Sequence, residues 1–372
     1  MVETTWAAPR TGYRLWMEQE GIPIIEGYGV EDVNDVPRKP WARLGGSGAY
    51  IELKGMEGVT GMYVVEIPSG GALNPERHLY EKLVYVLKGR GLTEVWYEEG
   101  RKQTFEWGEG SLFAPPLNTW HRLVNGGREP VLLLAETTAP LVLDVFRDPN
   151  FVFGTDYQFK NRYGGEEGYF NVSDKRYKAG RGNVWQTNFI PDVRTAALDD
   201  AGHKVSGGQI TSFEMGGNSL VGHIAGWPVG RYHKAHYHGS GAVLLILRSK
   251  GYLLMWPNET GTRPYQAGRD DAVVEFHWKP GSLYSPPNGW FHMHLNTGPE
   301  PARQLALRLG SRRNPIGFHL AASRKLDGTL MSLEEGGTII EYEKEDPEIR
   351  KRWEEALKRE GVKSEMPPVV YK

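Results

Sequence analysis

The chain has 372 residues with 44 basic and 46 acidic side chains, a formal net charge of −2. A balanced charge without blocks of one sign excludes nucleic acid and an anionic membrane as the main partner. The absence of cysteine excludes disulfides, thiolate metal sites and cysteine nucleophiles. No run approaches the roughly 20 apolar residues of a membrane span. Met1-Val2-Glu3-Thr4-Thr5-Trp6 lacks the basic start and apolar run of a secretory leader, so a cytoplasmic location is expected. The 47 glycines, 24 prolines and 12 tryptophans suit a turn-rich β protein.

Residues 11–20 predict a short helix ended by Gly21. Residues 22–48 are rich in Gly, Pro and Asp and read as an extended arm laid over another surface. From residue 49 the pattern changes to short apolar runs at 50–53, 61–67, 82–87, 92–97, 111–114 and 131–135, separated by Gly, Pro or charged turns. Strands at that spacing point to a sandwich or barrel. Residues 147–182 have no period and read as a connector. A second set of strands follows at 209–213, 242–247, 252–256, 272–276, 282–285 and 304–308. Beyond Asn314-Pro315 the chain is irregular until a helix over 345–360. Asp346 is its N-cap, Pro347 its first helical residue, and Trp353 and Leu357 share its docking face.

The two sets of strands are one unit written twice. Val86-Leu87-Lys88-Gly89-Arg90-Gly91 matches Ile246-Leu247-Arg248-Ser249-Lys250-Gly251 at an offset of 160 (246 minus 86). That offset also lays Pro68 on Pro228 and Gly70 on Gly230. Gly110-Ser111-Leu112-Phe113-Ala114-Pro115-Pro116 meets Gly281-Ser282-Leu283-Tyr284-Ser285-Pro286-Pro287 at 171 (281 minus 110). The second copy therefore carries an 11-residue insertion (171 minus 160). At 171, His121 falls on His292 and Asn125 on Asn296. A repeat of this size makes the fold a tandem of two like units.

The first copy reads Gly110-x4-Pro115-Pro116-x4-His121-x3-Asn125. The second reads Gly230-x5-His236-x-His238, then Gly281-x4-Pro286-Pro287-x4-His292-x3-Asn296. These motifs resemble those of the cupin superfamily, and their duplication resembles a bicupin, over residues 61–125 and 221–296. The overall plan is similar to that of gentisate 1,2-dioxygenase-like proteins. The resemblance implies an all-β chain with two tandem double-stranded β-helix (jelly-roll) domains, an N-terminal arm and a C-terminal helix. The implied division is an arm at 1–40, a first domain at 41–150, a connector at 151–182, a second domain at 183–314 and an extension at 315–372.

The family pattern supplies two histidines and a glutamate from the first motif and a histidine from the second. In the first copy those positions hold Glu76, His78, Lys82 and His121. An ammonium repels a metal cation, so a Glu76–Lys82 ion pair filling the old pocket is expected. A residual site of Glu76, His78 and His121, or a substrate-binding role, is the alternative. In the second copy they hold His236, His238, Ala242 and His292. The resemblance implies that His236, His238 and His292 hold one divalent transition metal, iron(II) first, with manganese, nickel, copper or zinc also admitted by imidazole. Three buried, hydrogen-bonded histidines without metal is the competing reading.

His294 lies two residues past His292, so a regular strand aims it inward as well. It is a candidate catalytic proton carrier, fourth ligand or substrate partner. His233 has the opposite parity to His236 and reads as a rim residue. Arg308 lies in the apolar run Leu305-Ala306-Leu307-Arg308-Leu309, where alternation groups it with Gln304 and Ala306. A solvated outer-face arginine is the first reading of it, a grip on a substrate carboxylate the other, for which Arg231 and Arg248 are further candidates. Trp256, Trp290 and Phe291 read as packing.

The resemblance, with its all-histidine donor set, implies a metal-dependent dioxygenase that uses dioxygen on a small aromatic or enolisable organic acid. The alternatives are a non-redox metal-dependent lyase, isomerase or decarboxylase on a similar acid, or a non-catalytic binding protein. A homo-oligomer is expected. Gly89-Arg90-Gly91 lacks the further glycine of a dinucleotide fingerprint, and neither a phosphate loop nor a nucleophile elbow is present.

Overall fold

The computed structural model describes residues 11–56, 58–97, 102–179, 182–200, 205–239, 241–316 and 331–372. Met1 to Trp6, read above as no secretory leader, and residues 317–330 of the C-terminal extension lie outside them. Two like units of β-sheet stand in tandem. In the first, an 8-stranded sheet runs Ile24–Gly27, Gly46–Leu53, Gly61–Ile67, Val131–Thr137, Lys82–Lys88, Leu112–Phe113 and Phe189–Ile190, with Lys39–Trp41 off its edge. A 3-stranded sheet of Trp120–Val124, Arg90–Trp96 and Gln103–Gly108 accompanies it. The second unit repeats this order. Gln209–Glu214, Leu220–Trp227, Ala302–Leu309, Val243–Arg248 and Leu283–Tyr284 form the middle of a 9-stranded sheet, and Gly251–Pro257 is flanked by Val274–Trp278 and Trp290–Asn296 in a 3-stranded one.

Each unit is closed by a strand borrowed from the other. Phe189–Ile190 pairs with Leu112–Phe113 in the first unit, and Gly29–Val30 pairs with Leu283–Tyr284 in the second. The registers match: Phe189 lies opposite Phe113 and Gly29 opposite Tyr284, and 189 minus 29 is again 160. The duplication therefore runs on into the arm, further than the motifs reach. Asp32 and Asp192 repeat each other as well, each accepting from the amide two residues on. Val33 N donates to Gly281 O at 2.8 Å, and Val193 N to Gly110 O at 2.9 Å. Gly110 and Gly281 have φ of +88° and +91°, and a Cβ on either would run into the Asp192 or Asp32 carboxylate. Both reasons demand glycine there.

Strand alternation explains where the apolar side chains go. Along Leu220–Trp227, Leu220 and Ile224 face the other unit, while Trp227, and by alternation Ala225, faces into its own. Leu305, Leu307 and Leu309 join the first face and Ala302 and Ala306 the second. The core between the units also takes Ala49, Ile51, Leu53, Val64, Leu132 and Leu134 from the first. Two large apolar faces pressed together hold the pair as one body.

The helix α1 (Gly12–Gln19) is capped by Thr11 and packs Tyr13, Trp16 and Met17 onto the first unit, beside α2 (Ala139–Phe146) and α3 (Pro149–Gly154). The helix α4 (Pro347–Arg359) is capped by Asp346, which accepts from Glu348 N at 3.0 Å. Its Ile349, Trp353 and Leu357, four residues apart, cover Tyr252, Leu254, Met293 and Leu295. Trp353 Nε1 donates to Asn296 O at 3.0 Å, which pins the strand Trp290–Asn296 from outside.

Ahead of α4, the buried Glu345 accepts from Tyr232 Oη. Burial raises its carboxyl to about 8, against the pull of the Tyr232 hydroxyl and Arg350. The unfolded carboxyl titrates near 4.3. Between those values the folded state holds the extra proton, so stability falls as pH rises through the window. Glu345→Gln keeps the accepting oxygen and cannot ionise. The difference in thermal midpoint, variant minus parent, is expected to grow between pH 5 and pH 8. An unchanged difference would show that Glu345 ionises freely in the fold.

Candidate metal centre

Among the described residues, two clusters have donor atoms spaced to hold an ion: Glu76, His78 and His121 in the first unit, and His236, His292 and His294 in the second. In each cluster the donor atoms lie within 4.8 Å of one another. The two are built alike. Glu76 and His121 form an isolated bridge, exchanging amide hydrogen bonds of 3.0 and 2.9 Å. His236 and His292 do the same at 3.0 and 2.8 Å. The pair is thus side by side on one wall, not on facing walls, because two backbone hydrogen bonds hold the residues directly opposite each other.

The first cluster already contains a cation. Lys82 is 1% exposed, and its Nζ lies 2.5 Å from Glu76 Oε1. Arg43 takes the other oxygen at 2.8 Å and continues to Glu20 at 2.9 Å. His121 Nε2 lies 3.5 Å from Glu76 Oε1. Burial alone would raise Glu76, but Lys82, then His121 and Arg43, outweigh it and hold the carboxyl well below its usual range. Burial first, and the neighbouring ammonium next, push both His78 and His121 down, so both rings stay neutral. Lys82 thus sits in the cluster as a tethered cation, and the donors that remain face a positive charge.

The second cluster has Ala242 where the first has Lys82 (82 plus 160). His236, His292 and His294 are buried, and His238 is partly exposed at the rim. The ring centroids of His236, His238 and His294 lie 4.5, 4.6 and 5.7 Å from that of His292, so four imidazoles meet. His294 belongs to the tight group, and His238 stands at its edge. Nδ1 of His236, His238 and His292 contacts the carbonyls of Lys234, Gly239 and Trp290 at 2.9, 2.9 and 3.1 Å. A carbonyl only accepts, so each neutral ring keeps its proton on Nδ1 and presents its Nε2 lone pair to the cluster. Fixing the tautomer in this way is how metal-binding imidazoles are oriented.

His294 is held differently. Its Nδ1 lies 2.9 Å from Tyr284 Oη, and that hydroxyl donates to Gln304 Oε1 at 3.3 Å. When the hydroxyl gives its proton to Gln304 it accepts from His294 Nδ1, which leaves the Nε2 lone pair available. When it turns toward His294, Nε2 carries the proton instead. Burial raises Tyr284 well above the ordinary phenol range, so it stays protonated.

Arg308 shares the interior face with Gln304 and Ala306, not the outer one. The cross-strand partners of the three are Val221, Ala225 and His223. Arg308 is partly accessible, yet its Nε is sealed from solvent and meets no acceptor among the described residues. Burial, and then the like charge of Arg312, push the guanidinium down to about 10, where it is still charged at neutral pH. The other two arginines point elsewhere: Arg231 donates to Ser206 O and Arg248 to Pro301 O. Trp256 and Phe291 pack beneath α4. His233 is buried rather than at the rim, with its ring centroid 4.4 Å from that of Trp227 and 5.3 Å from that of His294.

The sequence reading missed His223, Tyr284, Gln304 and Arg43. A signal for the first three was present. The two offsets lay His223 on Tyr63, Tyr284 on Phe113, His294 on Leu123, Gln304 on Leu133 and Arg308 on Thr137. At four of these five positions an interior aromatic or aliphatic side chain of the first unit is replaced by a more polar one. Arg43 lies outside the repeat motifs and carried no such mark.

A sequence model of the family described as a cupin domain matches residues 63–136. No curated protein matches the chain. Among solved structures, one from work on proton-coupled electron transfer in oxalate decarboxylase is 15% identical, covers 75% of this chain and 76% of its own, and has a TM-score of 0.48. A variant of Bacillus subtilis oxalate decarboxylase has 13% identity, the same coverage and a TM-score of 0.48. A structure from work on the Mn(II) centres of that enzyme has 13% identity, again the same coverage, and a TM-score of 0.47. Likeness at this distance speaks to neither substrate nor reaction.

Proposed function

We propose, from the premise that this chain belongs to the cupin superfamily with two cupin units in tandem, that the second unit is a metal-dependent enzyme acting on a small organic acid without redox change. Its reaction class is that of a lyase, isomerase or decarboxylase. The observation that carries this is the meeting of His236, His292 and His294 within donor distance, with His238 at the rim. A neutral imidazole set suits a divalent transition ion and does not select among iron, manganese, nickel, copper and zinc. Such an ion would polarise the oxygens of the acid and stabilise enolate-like charge.

The residues of the chain supply the rest. His236 and His292 keep their tautomers through the Lys234 and Trp290 carbonyls. An ion held by His236, His238 and His292 would leave His294 to take or give a proton at Nε2, with Tyr284 and Gln304 compensating at Nδ1. Leu253 and Met255 line the interior opposite His294 and His292 and limit water there. A proton carrier beside the ligands is what a non-redox reaction needs. Nothing in the donor set calls for iron(II) or dioxygen, so the dioxygenase becomes the competing outcome of the test.

That test loads stripped protein with each of the five ions and offers a panel of small hydroxy, keto and aromatic acids, with and without air. Product formation under anaerobic conditions is the expected result. Turnover only in air, matched by oxygen uptake, would establish the dioxygenase reading instead.

A further inference from the structure

Comparison of the two units, residue against residue, shows an inward-facing cation that has changed strands. In the first unit Thr137 pairs with Lys82, and Lys82 reaches Glu76. The offsets carry these three to Arg308 (137 plus 171), Ala242 (82 plus 160) and His236 (76 plus 160). Val243 pairs with Leu307, so one step further along the same strands Arg308 comes beside Ala242. A side chain at the Lys82 position spans the distance to the Glu76 position. Ala242 is buried and ends at its Cβ, which leaves that space to its neighbour. The internal anion has gone as well, since Glu76 is replaced by His236.

We propose that Arg308 seats a substrate carboxylate in the space beside Ala242, so that the substrate is a small acid bearing a carboxylate and a second oxygen donor that faces the histidine cluster. The inference rests on the reading of that cluster as a metal centre. Neutral imidazoles, a divalent ion and a guanidinium together leave a buried excess of positive charge. Among the described residues no acidic side chain forms an ion pair with the partly accessible Arg308, and its Nε is sealed from solvent without an acceptor, which is costly for a polar atom. An incoming carboxylate neutralises the excess charge, and the planar fork gives two parallel hydrogen bonds. His223 lies opposite Ala306 on the same wall. The first unit is the internal control, because there the cation is matched by Glu76 and has nothing left to recruit.

The experiment uses the full chain loaded with zinc, a redox-silent ion, with zinc content measured before any titration. Salicylate and pyruvate are titrated calorimetrically beside their neutral amides. Arg308→Gln is expected to weaken both acids by roughly ten- to hundredfold, the range of charge-assisted hydrogen bonds, and to leave zinc content and amide binding unchanged. Arg308→Lys should recover part of the loss. Ala242→Glu should supply an internal anion and block the acids. Acids bound as tightly by Arg308→Gln as by the parent, or by neither zinc-loaded protein, would overturn the proposal. A parent that takes up no zinc would overturn the metal-centre reading instead.

Discussion

Glu76→Gln is expected to be among the most destabilising single changes in the chain. Glu76 is 9% exposed and holds Lys82 on one oxygen and Arg43 on the other. The amide removes the anion and leaves an ammonium that is 1% exposed without a counter-charge. Removing one member of a buried pair costs about 3–5 kcal/mol, because the remaining charge keeps its desolvation penalty. Arg43 retains Glu20, so the loss falls chiefly on Lys82. The double change Glu76→Gln with Lys82→Met removes both charges and should regain most of the stability, since a well-packed apolar replacement of a buried pair is often neutral. Thermal midpoints of parent, single and double variants check this. A single variant as stable as the parent would show that the pair does not hold the first unit together.

His292→Ala should produce the largest functional effect. His292 is tied to His236 by two backbone bonds, and its ring has those of both His236 and His238 within 4.6 Å. Its loss removes the donor at the centre of the cluster while the strand stays pinned by Trp353. A ligand at a thousand times its Kd stabilises the fold by about 4 kcal/mol. The parent should therefore melt several degrees higher when saturated with a suitable divalent ion, and His292→Ala should show no such rise and no turnover. A variant that keeps both would place the ion elsewhere.

Much of this was legible in the sequence, for a physical reason. Strands alternate with a period of two, and turns demand glycine or proline at fixed places. A duplicated unit therefore repeats visible marks, such as Gly110 with Gly281 and His121 with His292. The inward direction of His294 followed from the same alternation, which grouped Arg308 with Gln304 and Ala306 but did not decide that their face was the inner one. Exchange of Gly29–Val30 with Phe189–Ile190 was not legible, because two-residue strands carry no period and their pairing is decided by tertiary contacts. The same holds for Arg43, which reaches Glu76 from a turn between strands. His233 was misjudged because residues around His236 form no regular strand, only isolated bridges at Tyr232 and His236, and parity has no meaning outside a regular strand. The polar interior of the second unit was legible only by laying each residue on its counterpart, which turns Tyr63 and His223, or Leu133 and Gln304, into a contrast.

Metal content per chain, measured on protein purified from its native host beside His292→Ala and His78→Ala, probes the division between the units most directly. The expected result is close to one transition-metal ion in the parent, close to none in His292→Ala, and an unchanged value in His78→Ala. Metal that survives loss of His292 but disappears with His78 would put the ion beside Lys82 and contradict the account.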